Sequence, residues 1–224
     1  GSVSYSLDNG INNITMRNSS NTITGNRFNS TNDSIADGSY TFRVFANDTA
    51  GNNNFTHNAT FLFENTNVNS CRTLDTNDTV YTLTQSVSTT STCFTIVAGN
   101  VTLDGAGYNI DGDDGLTDFG ITATGRLNIT IKNANITDFG DGIRFTATND
   151  SLIIDSNITS IADTVLNILS SKSINITNNK LSTNGGSLKF GITFSSSSNN
   201  SAINNNITDS AYGIYMSSSY NNSV

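Results

Sequence analysis

Two cysteines, a scatter of aspartates and a great many asparagines are the residues of this chain whose types could do chemistry. Cys71 and Cys93 stand 22 residues apart. Asp111, Asp113 and Asp114 crowd one expected turn, and Asp118, Asp141 and Asp163 recur at steps of 23 and 22. Carboxylates in such numbers could hold Ca²⁺, which takes roughly six to eight oxygen ligands. With no EF-hand spacing, the plainer reading is a solvated acidic turn and no cofactor. Three basic residues, Lys132, Arg144 and Lys172, fall near acidic ones. Sugar cleavage needs paired carboxylates, or bound Ca²⁺ with a basic residue as the proton acceptor. No such pattern is repeated here, so the reading is non-catalytic. The single histidine, His57, lies between Thr56 and Asn58 and reads as a surface residue. Without a second histidine or a cysteine cluster, no zinc or copper site of usual composition is present. Tyr212, Tyr215 and Tyr220 could form a platform on which a sugar ring stacks.

Asn-x-Ser/Thr triplets begin at Asn13, Asn18, Asn29, Asn32, Asn47, Asn54, Asn58, Asn77, Asn100, Asn128, Asn135, Asn149, Asn157, Asn175, Asn199, Asn206 and Asn221. Composition alone would give about ten of these N-glycosylation acceptors against the 17 found. Twelve end in Thr, although the chain has 32 Thr and 30 Ser. Part of that bias is structural, because Asn-Ile-Thr is an outward-inward-outward strand triplet. The same geometry puts Asn135, Asn157 and Asn206 in one solvent-facing column. Covalent N-glycans are the expectation, and a bare polar strand surface is the alternative.

The elements that must position these residues are announced by repetition. Ile131-Lys132-Asn133-Ala134-Asn135-Ile136 recurs as Ile153-Ile154-Asp155-Ser156-Asn157-Ile158, as Ile176-Thr177-Asn178-Asn179-Lys180-Leu181 and as Ala202-Ile203-Asn204-Asn205-Asn206-Ile207. The steps are 22, 23 and 26 residues. A second echo keeps the beat through Gly120-Ile121, Gly142-Ile143, Thr164-Val165, Gly191-Ile192 and Gly213-Ile214. Such a period means a solenoid. Alternation of Leu127, Ile129 and Ile131 with Asn128, Thr130 and Lys132 makes the stacked element a strand with one buried face. One unit is one coil of a β-helix. Six or so coils at ~4.8 Å make a rod of roughly 30 Å. Cys71 and Cys93 then fall on adjacent rungs, where a disulfide fits, with two reduced core cysteines as the alternative. The column Asn133, Asp155, Asn178, Asn204 reads as a ladder of stacked amides at a corner.

Composition agrees. The chain has no proline in 224 residues, as expected where each coil's N–H groups pair with the next coil. Only 12% of residues are charged and 35% hydrophobic, so the exterior is Asn, Ser and Thr. Richness in Ile, Val and Thr separates this bias from disorder. A net charge of −8 with ten Lys and Arg leaves no basic footprint for nucleic acid or an anionic membrane. No apolar run approaches ~18 residues, so no membrane segment is expected in this chain.

Residues 1–67 lack the echo. Asp37-Gly38-Ser39 reads as a turn, Tyr40 to Ala46 as an alternating strand, Asn47 to Asn52 as a turn and Ala59 to Phe63 as a strand. Tyr40 follows a corner, where a β-sandwich often places a tyrosine that closes the loop. The stretch from Val3 to Glu64 resembles the later strands of prokaryotic Ig-like repeats, with room for about five of seven strands. A fragment of a longer polypeptide, or a strand supplied by another chain, would complete it. From Cys71 to Gly112, the segments Cys71-Arg72-Thr73-Leu74, Tyr81-Thr82-Leu83, Cys93-Phe94-Thr95-Ile96 and Val101 to Gly112 resemble the opening coils of NosD-like and pectin-lyase-type right-handed β-helix proteins. Gly213 to Ser223 resembles their repeat unit. That resemblance implies the architecture, on which lyases, hydrolases, copper-loading periplasmic proteins and inert stalks are all built.

The chain thus reads as all-β: a partial Ig-like β-sandwich over 1–67, then a right-handed parallel β-helix over 68–224. The function expected is that of a non-catalytic structural protein of an archaeal or bacterial cell surface, a stalk, adhesin, sheath or filament subunit. Its partners would be copies of itself or adjoining domains of a longer polypeptide, because open strand edges at residues 1–67 and at Val224 are templates for more strands. A carbohydrate-binding or carbohydrate-cleaving β-helix is the alternative, and a groove with aromatics beside charged groups would favour it.

Overall fold

The computed structural model describes residues 2–18, 28–29, 38–55, 59–63, 66–184 and 189–224, with backbone alone at 18, 28–29, 38, 55, 61–63 and 162–163. Asn32, His57 and Asn58 lie outside these, as do the side chains of Asn18, Asn29 and Asp163. The chain forms two compact units, Gly1–Asn65 and Thr66–Val224, and the described residues form strands without helices.

In the first unit a five-stranded antiparallel sheet is built around Gly38–Asn47. One end of that strand pairs with Ser2–Ser6 and Asn53–Phe55, and the other with Ala59–Phe63. Gly38 and Ser39, expected in a turn, are strand residues opposite Phe63 and Leu62. The pairing with Ala59–Phe63 runs to that strand's far end and carries them with it. Arg17–Asn18 and Phe28–Asn29 form a separate two-stranded ribbon. A second, facing layer of the expected sandwich is not among the described strands. Two loops here share one design. Asp48 accepts hydrogen bonds from the Asn52 side chain and from the Ala50 and Asn52 backbone N–H groups, and Asp8 accepts from the Asn12 backbone and side chain. These bonds favour the ionised form and hold both carboxyls below the ordinary range, Asp8 at about 2.

The second unit is a parallel β-helix of about six turns. One sheet stacks seven strands, from Asn67–Val68 through Thr130–Lys132 to Ser201–Ile203. The other stacks ten, among them Asn109–Thr124, Asn135–Thr146 and Asn157–Leu169. Rung over rung the buried columns are aliphatic or aromatic. Leu103, Ile131, Ile153, Ile176 and Ala202 form one, and Ile110, Ile136, Ile158, Leu181 and Ile207 another. Ala123, Phe145, Ile168 and Phe194 form a third, which Met216 continues at 40% exposure. The first echo is therefore in register.

The second echo is not wholly so. Ile143 stands opposite Leu166, not Val165, and Thr164 opposite Asp141. The long strands shift register between their two halves, and that bulge absorbs the extra residue. Leu127, expected inside, is 54% exposed because it sits at a corner before the strand begins at Thr130.

Each coil turns at residues with left-handed backbone. Asp78, Asn100, Asn128, Asp150, Ser173, Asn199 and Asn221 make one such column, Asn133, Asp155, Asn178 and Asn204 a second, and Gly125, Ala147, Ser170, Ser196 and Ser218 a third. Asn, Asp and Gly tolerate this conformation best, which accounts for two of the three columns. The expected amide ladder at Asn133, Asp155, Asn178 and Asn204 is thus a column of exposed corner residues. The buried ladder lies one residue on. The Ala134 N–H donates to Ser156 Oγ (3.2 Å), the Ser156 N–H to Asn179 Oδ1 (3.0 Å) and the Asn179 N–H to Asn205 Oδ1 (3.0 Å). A second ladder runs through Thr148, Ser171, Ser197 and Ser219, and a third links the Ile174 N–H to Asn200 and the Asn200 N–H to Asn222. These side chains occupy corners where strand pairing lapses and satisfy backbone groups that would otherwise be buried without partners. Cys71 and Cys93 form the disulfide, with Cα atoms 4.5 Å apart across adjacent coils.

Candidate functional site

A groove forms on the ten-stranded sheet where a change of phase, at a glycine in four of five coils, puts two outward residues three apart. Cβ atoms built at Gly120, Gly142 and Gly191 would lie 2.5, 2.3 and 2.3 Å from the Cγ2 atoms of Ile136, Ile158 and Ile207. No side chain fits there, and the strand changes phase across the glycine. Residues on both sides of it then stack in columns, Phe119, Asp141, Thr164, Phe190 and Tyr212 in one, and Thr122, Arg144, Asn167, Thr193 and Tyr215 in the other. Asp141, Arg144, Thr164, Asn167, Phe190, Thr193 and Tyr215, with Leu116, line a cavity of about 300 Å³.

The polar end of the groove is one network. Arg144 approaches Asp141 Oδ2 with Nη2 at 2.7 Å and Nε at 2.8 Å, and Asn167 Nδ2 donates to the same oxygen at 3.0 Å. The guanidinium also lies 4.3 Å from the Phe119 ring centroid, a cation–π contact that fixes its plane. Buried Asp141 is thereby neutralised and oriented. Thr193 Oγ1, also on the groove, is buried with no hydrogen-bond partner. The apolar end is aromatic: Phe190 stacks on Tyr212 at 5.4 Å and meets Tyr215 at 4.9 Å. Of the three tyrosines expected as a platform, Tyr220 stands apart, bridged to Ser198 at a corner, and Phe190 takes its place.

Other residues singled out by type are placed as follows. Lys132 pairs with Asp104 at 3.0 Å, whereas Lys172 uses its backbone N–H, donating to Asn149 Oδ1. Asp118 and Asp141 do not stack, because Asp141 stands opposite Phe119 across the register shift. Asp111, Asp113 and Asp114 belong not to a turn but to the bulged strand Asn109–Thr124, with Asp114 in left-handed backbone. Burial, and then the charges of Asp114 and Asp111, hold the neighbouring Asp138 carboxyl above the ordinary range. No group of three or more His, Cys, Asp or Glu converges on one point among the described residues.

The sequon asparagines differ in what their amides do. Asn135 is half-buried and donates Nδ2 to the Gly107 carbonyl (2.7 Å), and Lys180 interrupts its column between Asn157 and Asn206. Asn100 and Asn128 spend their Nδ2 atoms along the corner, on Asp78 and Asn100. Asn157, Asn175, Asn199, Asn206 and Asn221 are exposed with the amide nitrogen unengaged.

The family described as "Right handed beta helix region" matches residues 99–224, more than half of the chain. No curated protein is similar enough to count as a relative. No helix is long and apolar enough to cross a membrane among the described residues.

Proposed function

Because the chain belongs to the right-handed β-helix family, many of whose members are extracellular or act on carbohydrate, we propose that it is a non-catalytic cell-surface adhesin, a rigid rod that holds a neutral saccharide in the groove beside Asp141 and Arg144. The observation that carries this reading is the joining of one polar network to an aromatic wall. A pyranose has an apolar face for Phe190 and Tyr215 and hydroxyls for Asp141, Arg144, Asn167 and the unpartnered Thr193. Among the described residues Asp141 is the one carboxylate lining the cavity, and it is held by Arg144. One carboxylate, held by Arg144, is short of the pair on either side of the bond that glycoside hydrolysis uses, which supports binding over hydrolysis.

The rod itself serves as a stalk or sheath element, joined to adjoining domains or to further copies. N-glycans at Asn157, Asn175, Asn199, Asn206 and Asn221, whose amides are unengaged, would keep it soluble and shield it. Intact mass before and after deglycosylation tests that part, and an unchanged mass removes it. For the groove, a panel of neutral oligosaccharides titrated into the whole chain by calorimetry is decisive. One or more should bind, Asp141→Asn and Tyr215→Ala should each weaken that ligand at least about tenfold, and no new reducing ends should appear. Absence of binding across the panel, or undiminished binding by both variants, overturns the adhesin reading.

A further inference from the structure

Asp118 is 8% exposed, and its two oxygens fare differently. Oδ1 accepts from the Gly140 N–H at 3.1 Å, while Oδ2 is fully buried with no hydrogen-bond partner. A buried carboxylate oxygen left unpaired is costly, so native structures supply a partner. Gly115 shows where the two carboxylates converge, its N–H donating to Asp113 Oδ1 at 3.2 Å. A Cβ built there would lie 2.9 Å from Asp118 Oδ2 and 3.0 Å from Asp113 Oδ1, so both oxygens close over a residue with no side chain. Asp113 is exposed and gives an ion a way in. The ion pairs of the described residues engage Asp104 and Asp141, leaving Asp111, Asp113, Asp114, Asp118 and Asp138 without a basic partner.

We propose that the bulge between Asp111 and Asp118 is a Ca²⁺ site with Asp113 and Asp118 as its side-chain ligands. The donors are hard oxygens, and Ca²⁺ completes its shell with backbone carbonyls and water in variable geometry, whereas Mg²⁺ demands a near-ideal octahedron. Two carboxylates place the site in the weak range of extracellular modules, with Kd about 10⁻⁴–10⁻³ M. The ion would also order Leu116, which lies on the same bulge, is 70% exposed and forms part of the groove wall.

The test is CaCl2 titration of the whole chain, freed of metal, by calorimetry and thermal melts. Wild type should bind in that range and melt higher with Ca²⁺. Asp118→Asn and Asp113→Asn should each weaken binding at least tenfold, and MgCl2 should bind at least tenfold more weakly. Asp104→Asn, at a carboxylate already paired with Lys132, and Asp141→Asn, in the groove, should bind Ca²⁺ as wild type does. These two arms separate the ion site from the saccharide reading, on which it does not depend. If Asp118→Asn fails to fold, exposed Asp113→Asn decides alone. No heat and no rise in melting temperature at about 10 mM CaCl2, equal effects of Mg²⁺, or wild-type binding by Asp113→Asn overturns the proposal.

Discussion

Replacing Asn179 tests whether the buried polar ladder, and not only the aliphatic columns, holds the coils together. Asn179 is 2% exposed, and its side chain serves four neighbours. Oδ1 accepts from the Ser156 N–H at 3.0 Å, and Nδ2 donates to the carbonyls of Ile153 (2.9 Å) and Thr177 (3.1 Å) and to Asn205 Oδ1 (3.0 Å). Asn179→Ala leaves the Ser156 N–H without its acceptor and the Ile153 carbonyl without this donor. At about 1–3 kcal/mol for each unsatisfied buried group, the loss should be about 2–6 kcal/mol. Asn179→Ser, which copies Ser156 one rung below, keeps a hydroxyl at the ladder and should lose about 1 kcal/mol. Asn179→Asp should be worst at neutral pH, because the carboxylate would face three acceptors. Its folded-state pKa would be raised, so the penalty should grow as pH rises from the ordinary carboxylate value and relax in acid. Urea titration gives the global change, and native-state exchange of the Ser156 amide gives the local one. If Asn179→Ala stays within about 1 kcal/mol of wild type and the Ser156 amide remains protected, the ladder contributes nothing and the reasoning fails.

Gly142→Ala should cost about 1–3 kcal/mol or more by overpacking, since its Cβ would meet Ile158 Cγ2 at 2.3 Å and the Val165 carbonyl at 2.9 Å. Gly99→Ala, whose nearest contact would be the Leu127 carbonyl at 3.5 Å, should be near neutral in the same melts. Non-reducing peptide mapping should join Cys71 to Cys93, and reduction should cost about 3 kcal/mol, with faster amide exchange confined to the coils that carry Arg72–Leu74 and Phe94–Ile96. Asp138, whose carboxyl is raised by burial and then by Asp114 and Asp111, penalises the folded state when ionised. In metal-free buffer, stability should therefore rise as pH falls from neutral through its folded pKa toward the ordinary value, and Asp138→Asn should abolish that rise; an unchanged pH profile would show the repulsion to be screened.

Repetition made the β-helix legible, because a side chain's column is set by its distance from the same position one coil earlier. Ile131, Ile153, Ile176 and Ala202 are spaced unevenly, yet they pair as written, since the extra residues fall in the corners and bulges. Thr164-Val165 failed for the same reason, because the bulge before it adds a residue that no motif marks. The buried ladders were hidden by type, as Ser and Asn ordinarily mean surface. A signal was nonetheless present in the doublets Asn178-Asn179, Asn199-Asn200, Asn204-Asn205, Ser170-Ser171 and Ser196-Ser197. In each, the first residue takes the left-handed corner and the second turns inward to cap the coil below. Identical neighbours thus do opposite work, which composition cannot reveal.

The groove was half legible for a related reason. Arg144 was marked by its nearness to acidic residues, and Tyr212 and Tyr215 by type, but what unites them is the pair of flanks around the glycine echo, Asp141/Arg144, Thr164/Asn167, Phe190/Thr193 and Tyr212/Tyr215. Those flanks carry no constraint from the core: the column that must be apolar is Ile121, Ile143, Leu166, Ile192 and Ile214 between them. In Thr164/Asn167 the step between the flanks is Val165-Leu166 rather than glycine, so a fixed glycine is not what defines the site. What defines it is the phase change, which turns two positions per coil outward side by side. On a backbone that repeats at ~4.8 Å, any chemistry written at those two positions becomes a continuous track along the rod. Here the track passes from a neutralised ion pair to stacked aromatic rings within three rungs, Asp141/Arg144 to Phe190/Thr193, and such a change of character favours a ligand with a polar edge and an apolar face over a uniformly charged polymer.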